Sequence, residues 1–254
     1  MSDIEQHRQN FPERPRLAAF RRRFARQIRF LQNRLSPQGY LGLHLTLGML
    51  VIIFGSWLFA EIAEDVLRHR PLVILDYRVA RWLHERATPA ITEVAKAITF
   101  LGSTAFLSAA STLCALVLLW QKAWRWLLVF AVTMAGGGLL VLLLKHVFQR
   151  HRPIFENPIV TLSGFGFPSG HALGATLFFG ILTVLVASKI VKCWHGRVLC
   201  VVIAFLLILL VGVSRVYLGA HYLSDVIGAI VAAIVWLAFC WTGVETLRRR
   251  PRRL

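Results

Sequence analysis

Six stretches of mostly apolar residues, each near the length needed to cross a bilayer, dominate the chain: residues 41–60, 100–120, 126–144, 172–190, 198–213 and 222–241. A hydrocarbon core about 30 Å thick takes about 20 helical residues, and its lack of water forces backbone polar groups to pair within the segment. The pattern therefore predicts an all-α polytopic membrane protein with six transmembrane helices in one bundle. A hydrophobic content of 57% in 254 residues excludes the soluble classes and leaves no room for a second folded domain. Three regions are expected: a basic cytoplasmic segment at 1–38, the six-helix domain at 39–243, and a basic cytoplasmic tail at 244–254.

Basic residues set the expected orientation. The first 38 residues carry nine arginines against Asp3, Glu5 and Glu13, and the stretch after Thr242 carries five more against one glutamate. By the positive-inside rule both ends are cytoplasmic, as an even number of spans requires. The connections at 121–125 and 189–197 are also basic and fall on the same side. The formal charge of +17 is read as a topology signal and an attraction to anionic lipids at the cytoplasmic face, with no nucleic acid as partner. Leu17, Phe20, Phe24, Ile28, Leu31 and Leu35 recur at helical spacing opposite arginines, which predicts an N-terminal amphipathic helix on the inner leaflet. A disordered basic segment is the alternative. No cleavable signal is expected, because the first apolar run is long enough to remain as an anchor. Cys114, Cys193, Cys200 and Cys240 lie in spans or a cytoplasmic connection, without the spacing of a disulfide or zinc site.

The longest outer connection, 61–99, places Val79, Trp82 and Leu83 beside Arg78, Arg81 and Arg86, the pattern of a helix resting at the outer interface. Thr88 and Pro89 read as a cap and a first helical residue. In the third run, Gly136, Gly137 and Gly138 suit close helix approach, with a functional kink as the alternative.

Three polar stretches fall at the extracytoplasmic ends of the predicted spans: KHVFQRHRP at 145–153, PSGH at 168–171 and SRVYLGAHYLSD at 214–225. Lys145 and Arg152 are seven residues apart, about two turns, so a continuing helix would bring both cations to one side. They could grip separate oxygens of one phosphate, or simply snorkel to the interface. Ser169 and Gly170 lie at a predicted helix start, whose free N–H groups favour an anion. His171 in the first turn could protonate a leaving oxygen, or be an interface histidine with ordinary hydrogen bonds. Arg215 ends the fifth run, Gly219 and Ala220 make a tight turn, and His221 precedes Asp225 by four residues, on one helix face. A carboxylate so placed can hold one ring nitrogen protonated and leave the other as a nucleophile. An acid favoured by the helix dipole is the compatible plainer role for Asp225.

Together these stretches resemble the three-part signature of the type 2 phosphatidic acid phosphatase (PAP2) superfamily, read as K-x6-RP, PSGH and SR-x5-H-x3-D, in its bacterial membrane lipid phosphatase form. Every defining position is present. The resemblance implies a metal-independent, cofactor-free hydrolase acting on lipid phosphates or diphosphates such as phosphatidic acid, phosphatidylglycerol phosphate or undecaprenyl diphosphate. In it, His221 is the nucleophile that forms a phosphohistidine, Asp225 orients it, and His171 is general acid and then base. Lys145, Arg152, Ser169, Gly170 and Arg215 form the phosphate cradle. It also implies a bacterial inner-membrane location, with the site facing the periplasm or exterior. The segment 154–167 is too short for a folded lid, so access is expected from the outer leaflet or solvent. Transfer of the phosphoryl group to another acceptor is a compatible activity. A vanadium haloperoxidase-like activity fits the same signature, but those relatives are soluble. An anion transporter would need the cations without the histidines. His146 and His151 stand outside the signature, as local hydrogen-bonding groups.

Overall fold

The structure, a computed structural model, describes residues 24–25, 42–68 and 70–249. The predicted amphipathic helix, apart from Phe24 and Ala25, and the last five residues of the tail lie outside them. Among the described residues there are eight helices and no strand: α1 (Leu43–Leu67), α2 (Pro71–Glu85), α3 (Pro89–Phe100), α4 (Thr104–Trp120), α5 (Trp124–Phe148), α6 (Gly170–Lys189), α7 (Trp194–Tyr217) and α8 (Leu223–Arg249). Six segments are long and apolar enough to span a bilayer, α3 and α4 together supplying the second. Gly48–Val244 forms one compact unit, and the site lies wholly within it. The described residues of 42–47 and 245–249 belong to a second unit; within it, Arg248 Nε donates to Glu245 Oε2 at 2.7 Å.

The apolar runs locate the spans but understate their length. α1 continues past the predicted end at residue 60 to Leu67, and α5 runs through Lys145 to Phe148, because helix geometry persists beyond the point where polar side chains enter the sequence. The second span begins at Pro89 rather than residue 100, with a turn at Leu101–Ser103 where the first half ends and Ser103 caps α4 by accepting from Phe106 N–H at 3.2 Å. Thr88 caps α3, its hydroxyl accepting from Ile91 N–H at 3.4 Å, with Pro89 as first helical residue.

α6 and α8 are the inner helices. Half of the α6 window and 44% of the α8 window are buried in protein, against 11% for α1 and for α7. Small residues allow this: Ala172, Ala175, Ala229 and Ala233 are fully enclosed, consistent with bilayer helices that associate by close packing rather than by expulsion of water. α5 uses two of its three glycines in the same way. A Cβ on Gly136 would fall 2.3 Å from the Trp236 ring, and one on Gly137 1.9 Å from Leu177 Cδ1; Gly138 faces open space. Leu113, Leu139, Leu143 and Val147 are among the exposed apolar side chains that present a lipid-facing perimeter.

α2 differs from the interfacial helix expected there. Val73, Asp76 and Ala80 are buried, and Val79 and Leu83 pack against the inner cluster around Leu173 and Val226. Only the outward side keeps the predicted character, with Trp82 exposed and Arg86 4.7 Å from its ring centre. The helix is amphipathic, but its apolar face meets protein instead of headgroups.

Candidate active site

At one end of the bundle, the loop after α5, the start of α6 and the turn between α7 and α8 converge under α2. Each owes its position to local chemistry. α5 stops at Phe148 because Gln149 adopts a left-handed conformation (φ 43°), so Lys145 and Arg152 do not share a continuing helix as their spacing suggested. The reversed chain returns Arg152 instead. Its Nε donates to Gly164 O at 3.1 Å and its Nη1 to Ala220 O at 2.8 Å. Ser169 caps α6, with its backbone N–H bonded to Asp225 O at 3.0 Å. Gly219, at φ 68°, closes the α7–α8 turn, a conformation glycine adopts without a Cβ penalty.

The structure brings the signature residues together. His221 is 1% exposed. Its Nε2 accepts from Arg152 Nη1 at 3.1 Å, and its Nδ1 lies 3.4 Å from Asp225 Oδ2, a close polar contact without hydrogen-bond alignment. The cation on one nitrogen and the carboxylate on the other select the tautomer with the lone pair on Nε2. Burial is the main cause that pushes the His221 pKa down, to about 4, with Asp225 opposing and Arg152 and Arg215 reinforcing the shift. The ring is neutral over the ordinary range of pH. Lys145, Arg152, Arg215 and His221 all lie within electrostatic reach of His171. Arg215, 4% exposed, donates Nη1 to Thr99 Oγ1 at 3.0 Å, while its buried Nε has no protein partner. Beside Gly170 a Cβ would meet nothing closer than 4.0 Å, leaving backbone accessible at the α6 N-terminus.

Several residues in this cluster stand outside the signature. Arg150 donates Nη1 to Asp225 Oδ1 at 2.6 Å and Nη2 to Asp76 Oδ2 at 2.8 Å. Asp76 is fully buried and also takes the Ser224 hydroxyl and backbone N–H. Burial opposes the charge on Arg150, but Asp225 and Asp76 outweigh it and raise its pKa. One signal for Asp76 was present: a lone acid in the apolar segment PLVILDYRVARW, on a helix outside the six spans. Thr99 carried none. His146 points away, its Nδ1 2.8 Å from Leu142 O. His151 is exposed and lines a cavity of about 480 Å³ with Arg81, Arg150, Arg152 and Tyr222. Among the described residues, no group of three or more His, Cys, Asp or Glu side chains is placed to hold a metal.

A model of the PAP2 superfamily matches residues 126–249. Phosphatidylglycerophosphatase B of Bacillus subtilis (strain 168) is 32% identical over 166 residues, covering 65% of this chain and 80% of that protein. A crystal structure of a transmembrane PAP2 type phosphatidylglycerolphosphate phosphatase from Bacillus subtilis superposes with a TM-score of 0.70 at 25% identity, over 80% of this chain and 98% of the other. Aquifex aeolicus LpxE shares the fold at 21% identity and a TM-score of 0.51, over 66% and 94% of the two chains. The six spans and these matches define a membrane-integral lipid phosphatase. Within that class, the chain belongs to the PAP2 superfamily.

Proposed function

We propose that the chain removes phosphate from lipid phosphates or diphosphates at the extracytoplasmic face, through a phosphohistidine on His221. The carrying observation is the Arg152 guanidinium 3.1 Å from the unprotonated Nε2 of a buried, neutral imidazole: an electrophile's counter-charge already sits at the nucleophile. A substrate phosphate would enter this cluster with its oxygens on Lys145, Arg152, Arg215, the Ser169 hydroxyl and the Gly170 backbone. The unpartnered Nε of Arg215 supports that reading, since a buried donor is costly unless something accepts from it.

His221 Nε2 attacks phosphorus, the N–P bond forms and the P–O bond to the lipid breaks. His171 gives its proton to the departing oxygen. Asp225 offsets the positive charge that grows on the ring. Water then attacks phosphorus, His171 takes its proton, and the N–P bond breaks to release phosphate. The three cations stabilise the equatorial charge in both steps, the task that Mg²⁺ serves in kinases and ATPases.

Substrates of the phosphatidic acid, phosphatidylglycerol phosphate and undecaprenyl diphosphate kinds present a phosphate at headgroup level on an apolar tail. The likeness to phosphatidylglycerophosphatase B favours phosphatidylglycerol phosphate among them. The test is phosphate release by purified protein with a chelator present, over diacyl and polyprenyl substrates, beside His221→Ala. The variant is expected to lose at least ~10³-fold in kcat, as when a covalent nucleophile is removed, while remaining folded. Undiminished turnover in the folded variant would remove His221 from the reaction.

A further inference from the structure

We propose that Arg150 and Asp76 form a positioning pair that holds Asp225 for His221, making α2 a part of the catalytic apparatus. The inference rests on the reading of His221 as nucleophile. Its basis is a closed set of buried contacts among Arg150, Asp76, Ser224, Asp225 and Tyr222, in which Arg150 Nη1 also donates to Ser224 Oγ at 2.6 Å. Arg150 Nη1 fixes Asp225 Oδ1 at 2.6 Å, and Tyr222 N–H fixes Oδ2 at 2.9 Å, leaving Oδ2 turned toward His221 Nδ1 at 3.4 Å. With both oxygens tied, the carboxylate plane cannot rotate away from the imidazole.

Asp76 explains why Arg150 stays at this post. Arg150 is two residues from Arg152, and a guanidinium with one carboxylate partner would be drawn to an incoming phosphate. Asp76 takes the other arm of the fork at 2.8 Å, and Tyr222 covers the guanidinium with its ring centre 4.5 Å away. Planar, bidentate bridging is something arginine can do and lysine cannot. Asp76 also accepts the Ser224 backbone N–H at 2.9 Å, capping the first turn of α8 from another helix and so fixing the turn that carries Asp225. Arg152 is thus assigned to the phosphate, and Arg150 to the carboxylate behind the nucleophile.

The two roles separate in kinetics. Purified full-length protein would be assayed on phosphatidic acid in mixed micelles, with folding followed by thermal unfolding. Arg150→Met and Asp76→Asn are expected to lower kcat by ~10–10²-fold, the range for groups that support a reactive side chain's partner in metal sites, with KM little changed. The acid limb of the pH profile gives a second readout. His221 and Asp225 are faced by Arg150 and Arg152 from the loop, Arg215 from α7, Lys145 from α5, His171 from α6, Asp76 and Tyr77 from α2, and Tyr222 beside them. Removing Arg150 deletes a cation from Asp225, so the carboxylate stabilises the imidazolium more and the limb moves to higher pH. Arg150→Lys keeps a charge but cannot span both acids: it is expected to hold the limb near wild type while kcat stays low. The double variant Arg150→Met/Asp76→Asn removes the buried pair together and serves if Arg150→Met alone does not fold; the same kcat loss is expected, with a smaller limb shift because an anion is deleted along with the cation. Wild-type kcat and an unmoved limb in folded Arg150→Met, or wild-type kcat in the folded double variant, would overturn the proposal. So would a large rise in KM at constant kcat, which would make Arg150 a phosphate ligand. Activity in His221→Ala would instead overturn the underlying mechanism, so the two failures are told apart.

Discussion

His221 sits where burial and neighbouring cations agree in disfavouring its charge, and only Asp225 opposes them. That balance suits a nucleophile: the ring must be neutral to attack, yet its positive charge after attack must be tolerated, and the anionic phosphoryl group then arrives to balance the cations. The sign of the pH dependence follows. The folded-state pKa, about 4, lies below the ordinary 6.5, so protonation favours the unfolded chain. The stability supplied by the neutral ring is complete above the ordinary value and is lost as pH falls through the folded one. Activity obeys the same order. In kcat/KM, which reports the free enzyme, the acid limb set by His221 is expected near 4, below the ordinary histidine range, while the requirement for a protonated His171 sets a separate basic limb. A pH-rate profile on a substrate whose own ionisation is accounted for checks this; an acid limb at the ordinary histidine value would place His221 in a far more solvated setting.

Among the elements, α5 shows most directly how a short sequence feature becomes packing. Its three glycines look equivalent in sequence, but Gly136 meets Trp236, Gly137 meets Leu177, and Gly138 meets nothing. Gly137→Ala must displace the side chain of Leu177, itself 1% exposed, and overpacking of this kind costs about 1–3 kcal/mol. Gly138→Ala adds a methyl in open space and is expected to be neutral or stabilising by up to about 1 kcal/mol from helix propensity. Thermal unfolding in detergent checks the contrast, and equal effects at the two positions would show that the glycines serve a kink rather than contact. The apolar periodicity made the spans legible but could not identify neighbours, so which glycine faced which helix was out of reach. Element ends fared similarly. The Thr88 cap was readable from a two-residue rule, whereas the Gln149 reversal, a left-handed non-glycine residue, has no local sequence signal and depends on the contacts Arg152 gains beyond it.

At the scale of the molecule, residues distant in sequence meet at one end of the bundle, and this decides what sequence reading could find. As a candidate cluster, Lys145, Arg152, Ser169, Gly170, His171, Arg215, His221 and Asp225 were legible because each lies in a short stretch with its own chemistry. Asp76 and Arg150 were not, because their meaning is a bridge between α2 and α8 that only the folded chain shows. The same end-to-end division carries a prediction. The site lies at the end that holds the 149–169 loop, and the basic connections lie at the other, where Lys189 Nζ bonds Gln121 Oε1 at 2.8 Å. Positive-inside bias therefore predicts that the site faces the extracytoplasmic side. Cys193 is exposed at the start of α7, on the basic end, while Glu156 is exposed in the site loop. In intact cells a membrane-impermeant thiol reagent is expected to leave Cys193 unlabelled and to label Glu156→Cys made in a Cys193→Ser background; in inside-out vesicles the pattern reverses. Labelling of Cys193 from outside, with Glu156→Cys protected, would turn the bundle over and put hydrolysis on the cytoplasmic leaflet.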